Sequence, residues 1–507
     1  MNLGGALTIA SASLLNINAQ LAIVSNNVAN ANTPDYVAET GTQQALTDGV
    51  GGMGVRTGVT GRVIDVALQQ ATFRQDSVIS GLTVTTASLQ VIDAVQGTPG
   101  QGGDLSSLLG RVQDAFSSLL NDPANGAAQS AVMTAAGSLT GGIHALSGAY
   151  TDRRQAAQDD IVGAVGEANA ALRQIGTLSG QIVAARAGGS STADLENQRD
   201  ATVHGLGALL GVRTLVQSNG DMLVTTASGT TLPTRADSGP LGTAGATIGP
   251  GAFYPGGGIP AITVNGVDIT RQVRDGRIGA NLGLRDKALP TFQGELDEFA
   301  QSLASRFDAQ GLTLFTDPNG AVPAAGGTPV QASYVGFSAT IQVSTLVVAD
   351  PAQTRDGTHA VTGSAAGASA FTPNPAGGPA SFSTLITRVL NYALGASTQT
   401  GVAQPAGATA GLGADGTLSA PYAPPATLAA HATALVTAQA SESASASAQL
   451  STEQAVRKNL NDKLTATSAV NVDREMARMI QLQNSYAASA RIISTVQGLF
   501  TQLIQAL

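Results

Sequence analysis

Apolar residues at the two ends of the chain recur with a spacing of seven. Near the start, Leu7, Leu14, Leu21 and Val28 form one series, and Leu3, Ala10, Ile17 and Val24 form a companion series four residues earlier. Alternating steps of three and four mark a coiled-coil seam, here sustained over about four heptads. This helix is expected to stop near Asn32-Thr33-Pro34, because a proline pushes the residue before it out of the α region. At the far end Val472, Met479, Tyr486, Ile493, Phe500 and Leu507 repeat by seven, with Leu482, Ser489, Val496 and Leu503 as companions. A helix from Val470 to Leu507 would be about 57 Å long, too long for a compact domain. Two such seams at opposite termini predict that the chain ends come together.

Between the ends the pattern predicts further helices. Ile161, Val165, Leu172, Ile175 and Ile182 line one face of a segment spanning residues 140–187. A second helix, 192–210, is expected to open at Ser191, with Asp194 three residues on, and to stop at Gly211. Phe292, Leu296, Phe299, Leu303 and Phe307 mark a third. The period then changes to two. Asn219-Gly220 lies between Leu215-Val216 and Met222-Leu223-Val224, and Asn265-Gly266 lies between two further β-prone runs. Asn-Gly flanked in this way predicts tight hairpins. An Ala/Ser-rich helix over 426–469 leads into the final rod, and a helix is expected near 381–395 within the Gly/Ala/Pro-rich stretch 317–425.

The fold class read from these patterns is α+β and multidomain. Long coiled-coil-like helices from both termini pack together, beside a helical framework and a β-rich insertion. The expected division places 1–65 with 470–507 in a terminal helical assembly domain. Residues 66–211 with 283–469, including the unassigned 317–425, form a mainly helical framework, and 212–282 form the β-rich insertion.

Composition narrows the functional classes. Charged residues make up only 12% of the 507, aromatics 4%, and tryptophan is absent. A surface this poor in charge must be covered by small polar residues or buried against other subunits. The net charge is -9, and no basic patch stands out for nucleic acid. Absence of cysteine removes disulfides, thiol nucleophiles and thiolate metal sites. No Lys or Arg precedes Arg56, and Ser11, Ser13, Asn16 and Asn18 interrupt the first apolar run. Neither a cleaved secretory signal nor a membrane-spanning segment is expected, and no membrane partner.

Catalytic chemistry is not visible. His144, His204, His359 and His431 are far apart and read as surface or satisfied structural residues, so no metal and no cofactor is expected. There is no Gly-x-Ser-x-Gly elbow and no phosphate loop. Gly51, Gly52 and Gly54 read as a turn between β segments. Arg199-Asp200 and Arg285-Asp286 resemble acid/base pairs, but catalysis needs a perturbed pair in a cleft with a convergent third group. These charges are expected to pair locally with neighbouring helices.

The segment Ser25-Asn26-Asn27-Val28-Ala29-Asn30-Ala31-Asn32-Thr33-Pro34-Asp35-Tyr36 resembles the N-terminal signature of flagellar rod, hook and hook-associated proteins. Asp35 stands where that signature has glycine, which puts the local turn in question. Two internal segments narrow the resemblance to the hook-associated protein 1 family. One is Asp194-Leu195-Glu196-Asn197-Gln198-Arg199-Asp200. The other is Leu284-Arg285-Asp286 followed by Leu289-Pro290, Gln293, Leu296-Asp297 and Ala300. Val470 to Glu475, with Gln483, Tyr486, Ser489 and Arg491, is similar to the family's terminal helix.

The resemblance implies a non-enzymatic structural subunit of the bacterial flagellum, joining hook to filament and exported by the flagellar type III apparatus. Its implied partners are other copies of itself in the axial tube, hook protein, hook-associated protein 3, and an export chaperone on the C-terminal helix. The residues expected to form the assembly interface are Leu7, Leu14, Ile17, Leu21, Val24, Val28, Met479, Tyr486, Ile493, Val496, Phe500 and Leu503. Competing readings are another axial subunit, of hook or distal rod, and a secreted adhesin on a flagellin-like scaffold.

One further expectation is physical. A long helix with a single covered face is marginal by itself, so residues 1–35 and 470–507 are expected to be disordered in a free monomer and to fold on assembly.

Overall fold

The computed structural model describes residues 3–33, 35–47, 52–97, 101–235 and 239–506. Pro34, Gly51 and Leu507, singled out above, lie outside them.

The first helix, α1 (Leu3–Ala29), runs into a long antiparallel hairpin, β1 (Glu39–Thr47) and β2 (Gly52–Arg62). Three helices follow: α2 (Val66–Gln96), α3 (Leu105–Asn121) and α4 (Gly126–Ala187). Each opens on a side-chain cap. Asp65 accepts from the Leu68 N–H, Asp104 from Ser106 and Ser107, and Asn125 from Ala127 and Ala128.

Helix α4 has 62 residues, about 93 Å at 1.5 Å each, and begins well before the expected residue 140. Gly137, Gly141, Gly142 and Gly148 weaken the propensity signal there. Packing overrides it: Val132, Ala136, Leu139 and Ile143 are fully buried. A Cβ on Gly142 would lie 2.5 Å from Leu108 Cδ1 on α3, so the glycine allows the close approach. The sequence patterns above do not mark α2 or α3. The buried face of α2 includes Gln69, Thr72, Ser77 and Thr86 and has no apolar stripe to read.

Helix α5 (Ala193–Leu209) is capped at Thr192, not Ser191, and without a side-chain cap bond. Thr192 Oγ1 instead donates to Glu196. Next come two hairpins at the expected Asn-Gly turns. The first joins β3 (Val212–Val216) to β4 (Met222–Thr226). The second joins β6 (Thr263–Val264) to β7 (Val267–Asp268), with β5 (Leu241–Gly242) on the other side of β6. Asn265 and Gly266 both have positive φ, 51° and 79°, as the tight primed turn requires.

Helix α6 (Gly276–Gly283) continues through a π-helical turn, Leu284–Ala288, into α7 (Leu289–Asp308). The stretch after it holds short strand pairs and the small helices α8 (Thr345–Ala349), α9 (Gln353–Asp356) and α10 (Thr384–Arg388). The last lies inside the helix expected near 381–395. Two long helices close the chain, α11 (Leu428–Ser468) and α12 (Val472–Gln505).

Burial divides these elements unevenly. One large core joins α3, the first half of α4, α7, parts of the stretch after α7 and the start of α11. A second joins the later part of α4 with α5, α6 and the strands after α5. The third, between α1 and α12, contains only Ile17, Val24 and Leu482, flanked by Leu21 and Met479. Two helices of 27 and 34 residues therefore share a very small interior.

Leu3–Ala29 and Val66–Gln96 reach the length and mean hydropathy, 1.5 and 1.4, that a membrane span requires. This corrects the expectation that no segment would. Both carry polar residues on packed faces: Asn16, Gln20 and Asn27 on α1, and Gln69 and Gln96 on α2, are buried against protein.

Candidate assembly interface

The chain ends meet as the two seams require. Helices α1 and α12 lie antiparallel, with Ser13 Oγ 3.2 Å from Ser489 Oγ. Glu475, Leu482, Ser489 and Val496 are the buried residues of α12, a strict repeat of seven facing α1. Ala10, Ile17 and Val24 are their buried counterparts. Leu7, Leu14, Leu21, Val28, Met479, Ile493 and Phe500 flank this seam and are half-buried.

Two of the expected seam residues face outward, Tyr486 at 40% exposed and Leu503 at 57%. One partner helix covers only one strip, and Tyr486 lies off it; Leu503 keeps the register of Leu482, Ser489 and Val496 but, with Ser13 opposite Ser489 in an antiparallel pair, falls past the first turn of α1. Beside that strip α12 leaves Met476, Ile480, Ile492, Leu499 and Ile504 uncovered, the last at 71%.

Helix α1 has a second, polar contact face turned to the β1–β2 hairpin, which the heptad reading missed. Thr57 Oγ1 donates to Asn16 Oδ1 at 2.8 Å. Asn27 is fully buried and closes the connection from α1 to β1. Its Nδ2 donates to the Glu39 carbonyl at 2.9 Å, while its Oδ1 accepts from the Glu39 N–H at 2.9 Å and from the Tyr36 hydroxyl at 3.1 Å.

The other signature asparagines stack along the same turn. Asn30 donates to Asn26, Thr33 donates to Asn30, and Asn26 Nδ2 reaches Asp194 on α5 at 3.1 Å. Asn32 is exposed. Burial, with Asp194 nearby, raises the Glu39 carboxyl to about 7. The Tyr36 hydroxyl is raised too, by burial first and then by Glu39.

The segment 194–200 fastens this terminal unit to the framework. Arg62, the last residue of β2, donates to Glu196 at 3.0 Å, Asn197 at 3.1 Å and Asp200 at 2.7 Å. Asn197 Nδ2 donates to the Val37 carbonyl. Arg199 points the other way. Buried, it donates to the Gly220 carbonyl at 2.7 Å and holds the turn of the β3–β4 hairpin against α4. Gln198 is exposed.

Arg285 is fully buried, forks onto Asp286 at 2.7 Å through two nitrogens, and donates to Gln158 at 2.6 Å. The structure thus separates the motif residues into two sets. Asn26, Asn27, Asn30, Tyr36 and Asp200 surround the joint, while Arg199, Arg285 and Asp286 lie within the framework, where Arg285 pairs with Asp286 and Arg199 donates to the Gly220 carbonyl.

Asp35 has φ of 62°, so it keeps the left-handed turn a glycine would take. Its carboxylate accepts from His204 Nδ1 at 2.7 Å, and Asp76 on α2 sits 2.8 Å from His204 Nε2. His204 also stacks on Phe73, 4.8 Å between centroids. The two carboxylate hydrogen bonds raise its pKa to about 9 against the opposing effect of burial. Arg457 on α11 pairs with Asp76 at 2.6 Å. One histidine therefore ties the loop after α1 to α5 and α2.

Nearby, the Ala38 N–H donates to the Ser468 carbonyl at 3.0 Å, so the short break between α11 and α12 sits on the base of the hairpin. His431 is buried and held at about 4 by desolvation, and His144 Nε2 lies 2.6 Å from the Ile341 carbonyl. Among the described residues no group of three metal-type side chains converges.

Residues 89–321 match the family model described as flagellar hook-associated protein FlgK helical domain, and residues 465–506 match the flagellar basal body rod FlgEFG protein C-terminal model. Flagellar hook-associated protein 1 of Escherichia coli (strain K12) is 26% identical over 317 residues, covering 60% of this chain and 56% of that protein. The Salmonella typhimurium protein of the same name is 27% identical over 311 residues, covering 58% and 54%. The chain therefore spans little more than half the length of these relatives. A solved structure, the flagellar hook junction protein FlgK from Burkholderia pseudomallei, covers 50% of this chain and 46% of its own at 24% identity, with a TM-score of 0.41. With a helical-domain match through the framework and a rod-type match on the terminal helix, the chain is similar to flagellar hook-associated protein 1 over these segments.

Proposed function

We propose that this chain is a structural subunit of the flagellar hook–filament junction, assembling into the axial tube through α1 and α12. The observation that carries the reading is the set of uncovered apolar side chains on α12. Met476, Ile480, Ile492, Leu499, Leu503 and Ile504 are all at least 43% exposed, alongside a seam whose own interior is only a few residues deep. Apolar surface on this scale in a long helix marks a site that another protein covers. Burial of each such side chain contributes about 1.5–3 kcal/mol, so neighbouring subunits supply what one copy lacks.

In this reading hook protein lies on one side of the ring and hook-associated protein 3 on the other. An export chaperone masks these α12 side chains before the chain leaves the cell. The role is mechanical, and no reaction is assigned to it. The large framework cores keep their fold whether or not the ends are assembled, which lets the subunit travel as a folded body with adhesive ends once outside.

Ile493→Asp or Phe500→Asp tests this. Either places a carboxylate in the half-buried flank of the seam and is expected to abolish motility and filament attachment. The helical content and unfolding midpoint of the framework should be retained. Survival of filament attachment in both variants would overturn the assembly role of this face. A strain lacking the chain is expected to build hooks and shed filament subunits into the medium.

A further inference from the structure

The geometry points to the outer edge of β3 as a docking site for an extended, acidic segment of a partner protein, added to the hairpin as a third strand. This inference is independent of the terminal helices.

The parity of the hairpin fixes which groups are free. The Gln217 N–H donates to the Asp221 carbonyl at 2.8 Å, so the pairs Leu215/Leu223 and Arg213/Thr225 also exchange ladder bonds. Val212, Thr214 and Val216 then turn their N–H and C=O groups outward. On the opposite strand this parity is already used. The Val224 carbonyl accepts from the Leu232 N–H, and the Thr226 N–H donates to the Thr230 carbonyl. The β4 edge is covered by its own chain. Among the described residues the sheet holding β3 has only two strands, and its outer edge has no such cover.

That edge faces a cleft of about 540 Å³ between β3 and α2. Its walls combine the two kinds of surface an added strand needs. Phe73, Val78 and Val203 are apolar, while Arg74 and Arg213 bring two guanidiniums against the single carboxylate of Asp275. Among the described residues neither arginine has an ion-pair partner, in a chain of net charge -9.

Beyond the cleft, Leu215 and Val216 on β3 are 64% and 47% exposed. An apolar strand edge left open in this way is a template for pairing, and the unpaired arginines select acidic residues for it.

The test uses the full chain and a capped nine-residue peptide alternating Val and Glu. Binding is read by fluorescence anisotropy and by amide exchange at Val212, Thr214 and Val216. The peptide is expected to bind and to slow exchange at those three amides. An alternating Val/Lys peptide, and the Glu peptide N-methylated at alternate residues, should each bind at least tenfold more weakly. Thr214→Pro removes an outward N–H and leaves the β3–β4 ladder whole, so it should weaken binding at least tenfold with an unchanged circular dichroism spectrum. Arg213→Glu, which touches no ladder bond, should do the same.

Absence of binding at millimolar peptide, equal binding of the N-methylated peptide, or unchanged binding by both variants would overturn the proposal. Arg213 would then be a guard that keeps the edge from pairing.

Discussion

Asn27 shows how one side chain can define a connection. Its amide satisfies both backbone groups of Glu39 and the Tyr36 hydroxyl from a fully buried position. Replacement by Ala leaves buried groups unpaired, a loss of about 1–3 kcal/mol each. The loss should appear as faster amide exchange at the α1–β1 turn of the assembled subunit and leave the framework unaffected.

His204 makes a second prediction, in pH. Its folded pKa is raised from 6.5 to about 9 by Asp35 and Asp76, so the folded state holds the proton more tightly. The resulting stability is complete below about pH 6.5 and is lost as pH rises through 9. In urea titrations the difference between the wild type and His204→Gln should shrink over that window; a constant difference would contradict the assignment. Glu39 acts in the same direction lower on the scale. Its carboxyl is raised from 4.5 to about 7, so stability should fall as pH climbs between those values, and Glu39→Gln should flatten the fall.

The signature asparagines were legible in the sequence as a motif, but their work was not. Neither was the histidine cluster, whose partners lie 169 and 128 residues away along the chain. Asp35 in place of glycine puts the local turn in question from sequence alone. The structure keeps the turn and gives the carboxylate a partner.

At the scale of elements, the heptad repeats at the two ends belong to the smallest core. The heptads at the two ends were plain in the sequence because an uncovered helix with one seam concentrates its apolar residues on a strip. Helix α2 is hard to read because its buried face is largely polar, and the start of α4 because glycines interrupt it, whereas α3 carries a plain apolar face at Leu105, Leu108, Leu109, Val112, Phe116 and Leu119 that the reading above passes over. Hairpins were found at both Asn-Gly turns, where backbone conformation itself demands the residue type. The stretch 317–425 stayed opaque because its buried residues, such as Phe337, Ile341 and Leu385, are separated by loops of Gly, Ala and Pro without a period.

The contrast between cores is measurable. Leu139→Ala, in the large core, should lower global stability by about 2–5 kcal/mol. Leu482→Ala, in the small seam, should leave the global unfolding midpoint nearly unchanged and reduce assembly instead.

For the whole molecule, two well-filled cores carry a thin pair of terminal helices through a polar joint. Arg62, Asn197 and Asp200 hold the hairpin to α5, while Ser468 seats the break between α11 and α12 on the hairpin base. The joint is built from hydrogen bonds and ion pairs, so the terminal pair has a fixed place of attachment and a separate energetic life. Stability in the framework and adhesion at the ends is the division that the proposed tube subunit would need.

The central claim is that α1 and α12 gain most of their burial from other subunits. Amide hydrogen exchange on the purified monomer, compared with the same chain assembled onto hooks, tests it most directly. Residues 1–35 and 470–507 are predicted to exchange rapidly in the monomer and become protected on assembly, while α4 and α7 are protected in both. Strong protection of both ends in the isolated monomer, unchanged by assembly, would contradict it.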